Sequence, residues 1–531
     1  MDIDAILKKR GEEQIEPSES PRQTVVRTDE VVFDGVLEQG VELDYVLPDY
    51  YPEIFKILKS SLTPRIIAYN VSGDGKLVLD GVVYIKVLYL AEGSSAVHCV
   101  DQRFTFSKTA DLTRKNITAA TMPSVTFTPK ADYCNCRAVS PRRIDVRGAV
   151  SVKTKAVSPV QYPLPEIPEG LQVKSKEITC CGKSISAEKI FTVREEIDTG
   201  SSGIGFILQS DAVPKLNDLR VIADKAVVKG LVTINALYGV YDPDKPGCTA
   251  TEHMTADIPI SSIIDAAGIT DTHITTPRIS VMNFELTPSS DSGIVSCELL
   301  MRCCITAQKE ESVVIPTDVY STDYETEFTV SPIKVTTEPR SVTRQVTLRS
   351  ALKGDGSEIR YVWDCRSELC GLSCRPKSET ELILTGQLCC SAVGVNAEGT
   401  PFYIDKQEAF EQIIPATNVT DDTIIDFYAV VTDTSYSIKP DGMLDITVQS
   451  DFSGAVRNLS SIEAVNSVTV FEDKPKEKDE EYALRIFYSN EGEDCWSIAK
   501  RYNTTVEAVM RENDIEDEST SLSGMILIPS V

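Results

Sequence analysis

The sequence predicts a mainly β chain: three tandem β-rich repeat domains, each a sandwich or partly open barrel, followed by a small βααβ domain. Three observations carry this expectation. A strand pattern with glycine at its sixth position occurs three times, a second alternating strand follows each copy, and the residues from 482 onward switch to helical periodicity.

The repeated pattern reads KLVLDGVVYIKVLY (Lys76–Tyr89), KAVVKGLVTINALY (Lys225–Tyr238) and ELILTGQLCCSAVG (Glu381–Gly394), with Gly81, Gly230 and Gly386 in register. Alternate positions put Leu77, Leu79, Val83, Ile85 and Val87 on one face of the first copy. Ala226, Val228, Val232, Ile234 and Ala236 share that face in the second, and Leu382, Leu384, Leu388, Cys390 and Ala392 in the third. A period of two marks a strand with one buried face. The glycine falls on that face, where it suits a bulge or a close backbone approach, and a core strand without chemistry is its plain reading. The copies recur about 150 residues apart, the size of a domain. The second strand appears as RRIDVRGAVSVKTKA (Arg142–Ala156), GIVSCELLMRCCITA (Gly293–Ala307) and GMLDITVQSDFSGAV (Gly442–Val456).

These anchors divide the chain into a tail at 1–23, repeats at 24–160, 171–315 and 320–470, a charged linker at 471–481 and a final module at 482–531. The tail is expected to hold a short helix at Asp4–Arg10. Prolines in SPVQYPLPEIP (Ser158–Pro168) separate the first two repeats, and SGDG, DPDKPG and NAEGTP supply hairpin turns. A short helix is expected at PISSIIDAAG (Pro259–Gly268). The stretch EDKPKEKDEE (Glu472–Glu481) is apolar-free and reads as a linker.

Composition bounds the partners. The chain carries 53 basic and 80 acidic residues, a net charge of −27, with 42 % hydrophobic content. Nucleic acid and anionic lipid need a positive surface, so neither is expected; a basic protein partner suits the charge. The first residues lack the apolar region of a secretory signal, and no apolar run reaches the length of a membrane span, so a cytoplasmic protein is expected. The 15 cysteines are odd in number and irregularly spaced, and adjacent pairs such as Cys180–Cys181 suit a reducing compartment.

In the final module YALRIFY (Tyr482–Tyr488) reads as a strand and Asp494 as a helix N-cap. Cys495, Ile498, Ala499 and Tyr502 then fall on one helical face. TTVE (Thr504–Glu507) has capping-box spacing with its cap at Thr504, Val506, Val509 and Met510 line a second helix, and MILIP (Met525–Pro529) closes the unit as a strand. With one cysteine the module has no internal disulfide and is expected to fold by helix packing alone.

GEDCWSIAKRYNTTVEAVMREN followed by LSGMILIP resembles a LysM domain, through Gly492, Trp496, Ile498, Ala499, Tyr502, Val506, Asn513, Gly524, Ile528 and Pro529. Cys495 stands where the family usually has leucine, and Ser523 where proline is common. The repeats resemble SPOCS domains of clostridial sporulation proteins, whose glycine strand ends in LY; Leu88–Tyr89 and Leu237–Tyr238 keep it and Val393–Gly394 does not. Three SPOCS domains and one LysM resemble the SipL-like family of spore-coat morphogenesis proteins. The resemblance implies a non-enzymatic scaffold in the mother-cell cytoplasm at the forespore surface. It implies docking of coat proteins, the SpoIVA ATPase among them, through the LysM domain.

LysM domains that hold N-acetylglucosamine polymers do so between the loop after strand one and the loop after helix two. Here the resemblance puts Glu491, Gly492, Glu493, Asp494, Trp496, Asn513, Asp514, Ile515, Glu516 and Asp517 at that partner-binding or glycan surface. So many carboxylates suit a basic protein patch by long-range complementarity, while solvated loop charge is the plain alternative, and Trp496 suits helix packing better than a ligand platform. A glycan-binding cell-wall protein and a phage structural protein are the other readings. Catalysis is not expected: only His98, His253 and His273 are present, no phosphate loop occurs, and His98 beside Cys99 is no dyad by adjacency alone. Cys365, Cys370, Cys374 and Cys389 or Cys390 depart from structural zinc spacings, so no metal or other cofactor is expected.

Overall fold

The computed structural model describes residues 25–92, 96–118, 121–201, 203–241, 248–289, 292–354, 358–440, 442–477, 483–517 and 522–529. The expected tail helix at Asp4–Arg10 and the DPDKPG turn lie outside them. The structure is mainly β, with two short helices near the C-terminus.

Repeat one contributes β1 (Val25–Val46), β2 (Ile54–Val71), β3 (Lys76–Ala91), β4 (Val97–Asp111), β5 (Ser124–Ser140) and β6 (Arg143–Pro163). They form two antiparallel three-stranded sheets, ordered β2-β3-β4 and β1-β6-β5. After β7 (Leu171–Cys181), repeat two follows the same plan with β8 (Ile185–Asp198), β9 (Ile204–Ile222), β10 (Lys225–Tyr241), β11 (Cys248–Asp265), β12 (Ile274–Pro288) and β13 (Ile294–Gln308). Its sheets run β11-β10-β9 and β12-β13-β8. After β14 (Glu310–Ser321) come β15 (Tyr324–Lys353), β16 (Ile359–Ser378), β17 (Glu381–Asn396), β18 (Pro401–Pro415), β19 (Thr423–Ile438) and β20 (Met443–Pro475), in sheets β16-β17-β18 and β15-β20-β19.

The two strand families of the sequence are thus the central strands of the two sheets: β3, β10 and β17 carry the glycines, and β6, β13 and β20 carry the second pattern. A central strand needs a face that packs across to the opposite sheet, which is why these segments alternate most cleanly. Leu77, Leu79, Val83, Ile85 and Val87 are all buried against Ile144, Val146, Val150 and Val152 of β6. The other repeats pair β10 with β13 and β17 with β20 in the same way.

At each glycine the neighbouring strand bulges. Pairing shifts between Ile66 and Ala68 opposite Gly81, between Lys229 and Gly230, and between Cys370 and Ser373 opposite Gln387–Thr385. The opposite neighbour covers the glycine: Phe106 pairs with Gly81, Ile260 with Gly230 and Phe410 with Gly386. A side chain at Gly81 would collide with the Phe106 ring, and one at Gly230 with the Lys215 carbonyl oxygen. Close approach is therefore what the position requires.

The segment Pro259–Gly268 is not the expected helix. Residues up to Asp265 belong to β11, paired with β10, and a turn follows. The reason is the alternation Ile258, Ile260, Ser262, Ile264, all buried, against exposed Ile263; period two beats the local helical look of the sequence.

The repeats are not separate beads. The seventh residue after each glycine, Leu88, Leu237 or Val393, meets the others in one apolar cluster with Leu90, Val97 and Leu208. The leucine of the LY pair thus joins repeats, while Tyr89 and Tyr238 turn inward, their hydroxyls bonded to the Pro52 carbonyl at 3.1 Å and to Ser201 Oγ at 2.9 Å. Beside this cluster Lys59 Nζ donates to Gln209 at 3.3 Å and Arg366 pairs with Asp211 at 2.6 Å. A second junction forms where the outer ends of β1 and β6, of β15 and β20, and the β7–β14 ribbon pack together through Val26, Leu164, Cys180, Ile315, Ile333, Val335 and Ala464.

Candidate functional site

The C-terminal module consists of β21 (Leu484–Glu493), α1 (Cys495–Arg501), α2 (Val506–Glu512) and β22 (Leu522–Pro529), with the strands antiparallel. Asp494 caps α1, accepting from the Ser497 N–H at 2.9 Å. The cap of α2 is Thr505, which accepts from Ala508 N–H at 3.1 Å, and not the expected Thr504. Thr504 is displaced from that role because it is buried in the turn: its N–H donates to the Ala499 carbonyl and its own carbonyl accepts from Tyr320. Cys495, Ile498, Ala499, Val506 and Val509 pack with Ile526 and Ile528 as the core.

That core includes a residue from far outside the module. Tyr320, on β14, lies in it, edge-on to Trp496 with ring centroids 5.0 Å apart, and its hydroxyl donates to the Thr504 carbonyl at 2.8 Å. Trp496 Nε1 donates to Asp318 Oδ2 at 2.8 Å, and Lys500 Nζ reaches Asp318 Oδ1 at 2.6 Å. Lys174, on β7, pairs with Asp494 at 2.7 Å, and Lys476 donates to Asn503 Oδ1 at 2.8 Å. Helix α1 is thereby clamped on the β7–β14 ribbon. Burial works to raise the Asp494 carboxyl, but hydrogen bonds from Lys174 and Ser497 outweigh it and hold it at about 2.

The residues expected at the partner or glycan surface therefore divide. Asp494 and Trp496 face the ribbon. Asn513 is a clamp: its amide donates to the Val509 and Leu527 carbonyls at 2.8 and 2.6 Å and accepts from Leu527 N–H at 2.7 Å, tying α2 to β22. Glu493 pairs with Arg501 at 2.8 Å, Gly492 has φ +97° within the register shift between Ser489 and Glu493, and Ile515 packs on the module core. Asp514, Glu516 and Asp517 are exposed along the loop after α2. The side chain of Glu491 lies outside the described residues. Sequence reasoning missed Lys174, Asp318 and Tyr320; they lie in ordinary alternating strands, and no local signal marks them.

Burial pushes the Cys99 thiol up to about 12 and lowers the pKa of His98, which stacks on Phe206, so this neighbouring pair is a neutral packing element. Cys365, Cys374 and Cys390 pack in or against the core of repeat three. Among the described residues no group of three or more His, Cys, Asp or Glu side chains could hold a metal ion, and no helix is long and apolar enough to cross a membrane.

Three β-rich repeats sharing one plan, joined to a compact βααβ unit by its first helix, define a multidomain binding protein. Comparison with family models agrees: the model described as SipL, SPOCS domain matches residues 53–139 and 204–287, and that described as LysM domain matches residues 490–523. SPOCS-domain regions followed by a C-terminal LysM domain are the domain content of a SipL-like protein, and the matched regions of this chain share it. Repeat three shares the strand plan of the matched regions but lies outside the matched residues. Neither curated proteins nor solved structures gave a match. SPOCS and LysM domains support a sporulation-related, glycan-binding scaffold, and both are typically non-catalytic.

Proposed function

We propose that this chain is a non-enzymatic adaptor of spore-coat assembly, acting in the mother cell at the forespore surface, and that its LysM domain docks a coat-assembly ATPase of the SpoIVA type. The observation that carries the reading is the division of the LysM surface. One side of α1 is spent on the ribbon, while the loop after α2 holds Asp514, Glu516 and Asp517 out to solvent. A fixed module with an acidic rim suits a basic patch on a protein partner, and the net charge of −27 favours the same sign of partner. The repeats would hold further coat proteins, several weak contacts on one chain adding through proximity.

The test is a binding measurement on the full chain with Asp514→Asn, Glu516→Gln and Asp517→Asn combined. The association rate with the ATPase should fall, and wild-type binding should weaken as salt rises, because rim charges act by steering. The LysM match favours a second reading, a glycan-binding protein of the cell wall. Micromolar binding of a chitooligosaccharide with little salt dependence, together with unchanged ATPase binding in the triple variant, would favour that reading over docking.

A further inference from the structure

A cavity of about 870 Å³ lies where the three repeats meet, remote from the LysM domain, with walls from β2 and β5, from β8, β12 and β13, and from β19. Its size is that of a small-molecule site. Six of its lining side chains are cationic and four are carboxylates, a local excess opposite in sign to the chain as a whole.

The carboxylates are already engaged. Glu188 pairs with Arg302 at 2.5 Å, and that guanidinium lies 5.1 and 4.9 Å from the Tyr69 and Phe127 ring centroids. Asp426 pairs with Lys155 at 2.5 Å and with Arg457, Asp29 accepts from Gln308 at 2.7 Å, and Asp265 lies 3.7 Å from Lys225. Two guanidinium groups remain with no carboxylate at ion-pair distance among the described residues. Arg65 lies over the Phe284 ring at 4.7 Å, and Arg278 over the Tyr428 ring at 5.9 Å. Rings hold such heads flat while leaving edge N–H groups to a ligand. Arg457, itself buried, has an Nε with no hydrogen-bond partner.

We infer that this junction is a binding site for a small polyanion carrying two or more phosphate or carboxylate groups, held by Arg65 and Arg278 from different repeats. Guanidinium forks match the oxygens of either group, so the shared chemistry is an anionic oxygen cluster. A ligand there would bridge repeats one and two.

The test is isothermal titration of the full chain with inorganic phosphate, pyrophosphate and citrate, using sodium chloride of matched ionic strength as the blank. Pyrophosphate or citrate should bind once per chain. Arg65→Gln and Arg278→Gln should each weaken it about tenfold or more, the loss expected for a charge-assisted hydrogen bond. Exposed Lys229→Gln should leave binding unchanged, and circular dichroism melts should report that each variant is folded. Binding of pyrophosphate alone identifies a phosphate site, and of citrate alone a carboxylate site. Weakening in only one arginine variant overturns a site shared by the two repeats. The inference is overturned if no anion gives saturable heat, if neither arginine variant weakens binding, or if Lys229→Gln weakens it equally.

Discussion

Replacing Gly230 by alanine should destabilise repeat two by about 1–3 kcal/mol, the range for overpacking a tight site. The added methyl would lie closer than 3.0 Å to the Lys215 carbonyl oxygen, and that oxygen belongs to backbone, so no rotamer change relieves the clash. Relief requires β9 to move by roughly 1 Å beside its bulge, at a cost of about 1 kcal/mol for each ladder hydrogen bond that fails. Losing glycine's freedom in the unfolded chain offsets about 0.4–1 kcal/mol of this. Two other glycines calibrate the argument. At Gly386 the nearest atom is the mobile end of Leu372 at 2.8 Å and the carbonyl of Cys370 stands off at 3.1 Å, so alanine should cost less. Gly40 has nothing within 4 Å, and alanine there should be neutral or stabilising. Because several repeats need not unfold together, calorimetry of the full chain should be paired with hydrogen exchange on β9 and β10. Equal behaviour of Gly230→Ala and Gly40→Ala would refute the reasoning.

Three further outcomes follow from the junctions. Burial lowers Lys59 from 10.5 to about 8, so between those values the unfolded chain holds more protons and stability should rise with pH. Lys59→Met should remove that slope and raise neutral-pH stability by about 1–3 kcal/mol; a variant that melts lower, or keeps the slope, contradicts the assignment. Asp318→Ala strips Trp496 of its acceptor and should free the LysM domain from the ribbon, read as a red shift in tryptophan emission; an unchanged spectrum would mean that the contacts of Tyr320 and Lys174 hold the domain without it. Asp494 is depressed to about 2 from 3.8, so its contribution is full above the unfolded value and is lost as pH falls through the folded one. The same red shift should therefore appear on acidification from about pH 4 to 2, and Asp494→Asn should show it at neutral pH instead.

What the sequence disclosed tracks how local each determinant is. The glycine strands were legible because a central strand buries one whole face, and that writes a period of two over a long stretch. The bulge opposite Gly230 was legible only as a possibility, since it lies in β9 and not in the strand that shows the pattern. Pro259–Gly268 misled because adjacent isoleucines suit a helix locally, while the pairing of Ile260 with Gly230 decides the matter from a distance. Val393 lacks the LY signature yet fills the place of Leu88 and Leu237, because the junction asks for a branched apolar side chain and not for leucine itself. In the LysM domain the core and the Asp494 cap were legible; that Asp494 and Trp496 are engaged by Lys174 and Asp318 was not, since those partners carry no motif.

The junctions also bear on how such a chain could act. Leu88, Leu237 and Val393 supply adhesion with little identity, for three similar aliphatic side chains would pack in any order. The ion pairs between repeats differ from junction to junction: Arg366 needs Asp211, and Lys155 needs Asp426. Buried ion pairs of this kind contribute little net stability over apolar replacements, but breaking one is costly. Their effect here is to penalise every arrangement in which a repeat meets the wrong neighbour. Among the described residues, the spacing of such a scaffold's contacts is set by packed junctions. The clamp of α1 on the β7–β14 ribbon extends the same rule to the LysM domain, so the distance from the acidic LysM loop to each repeat is set by packing. Avidity then depends on whether partners present their sites at that spacing, and loosening a junction should weaken multivalent capture even where every single contact is intact.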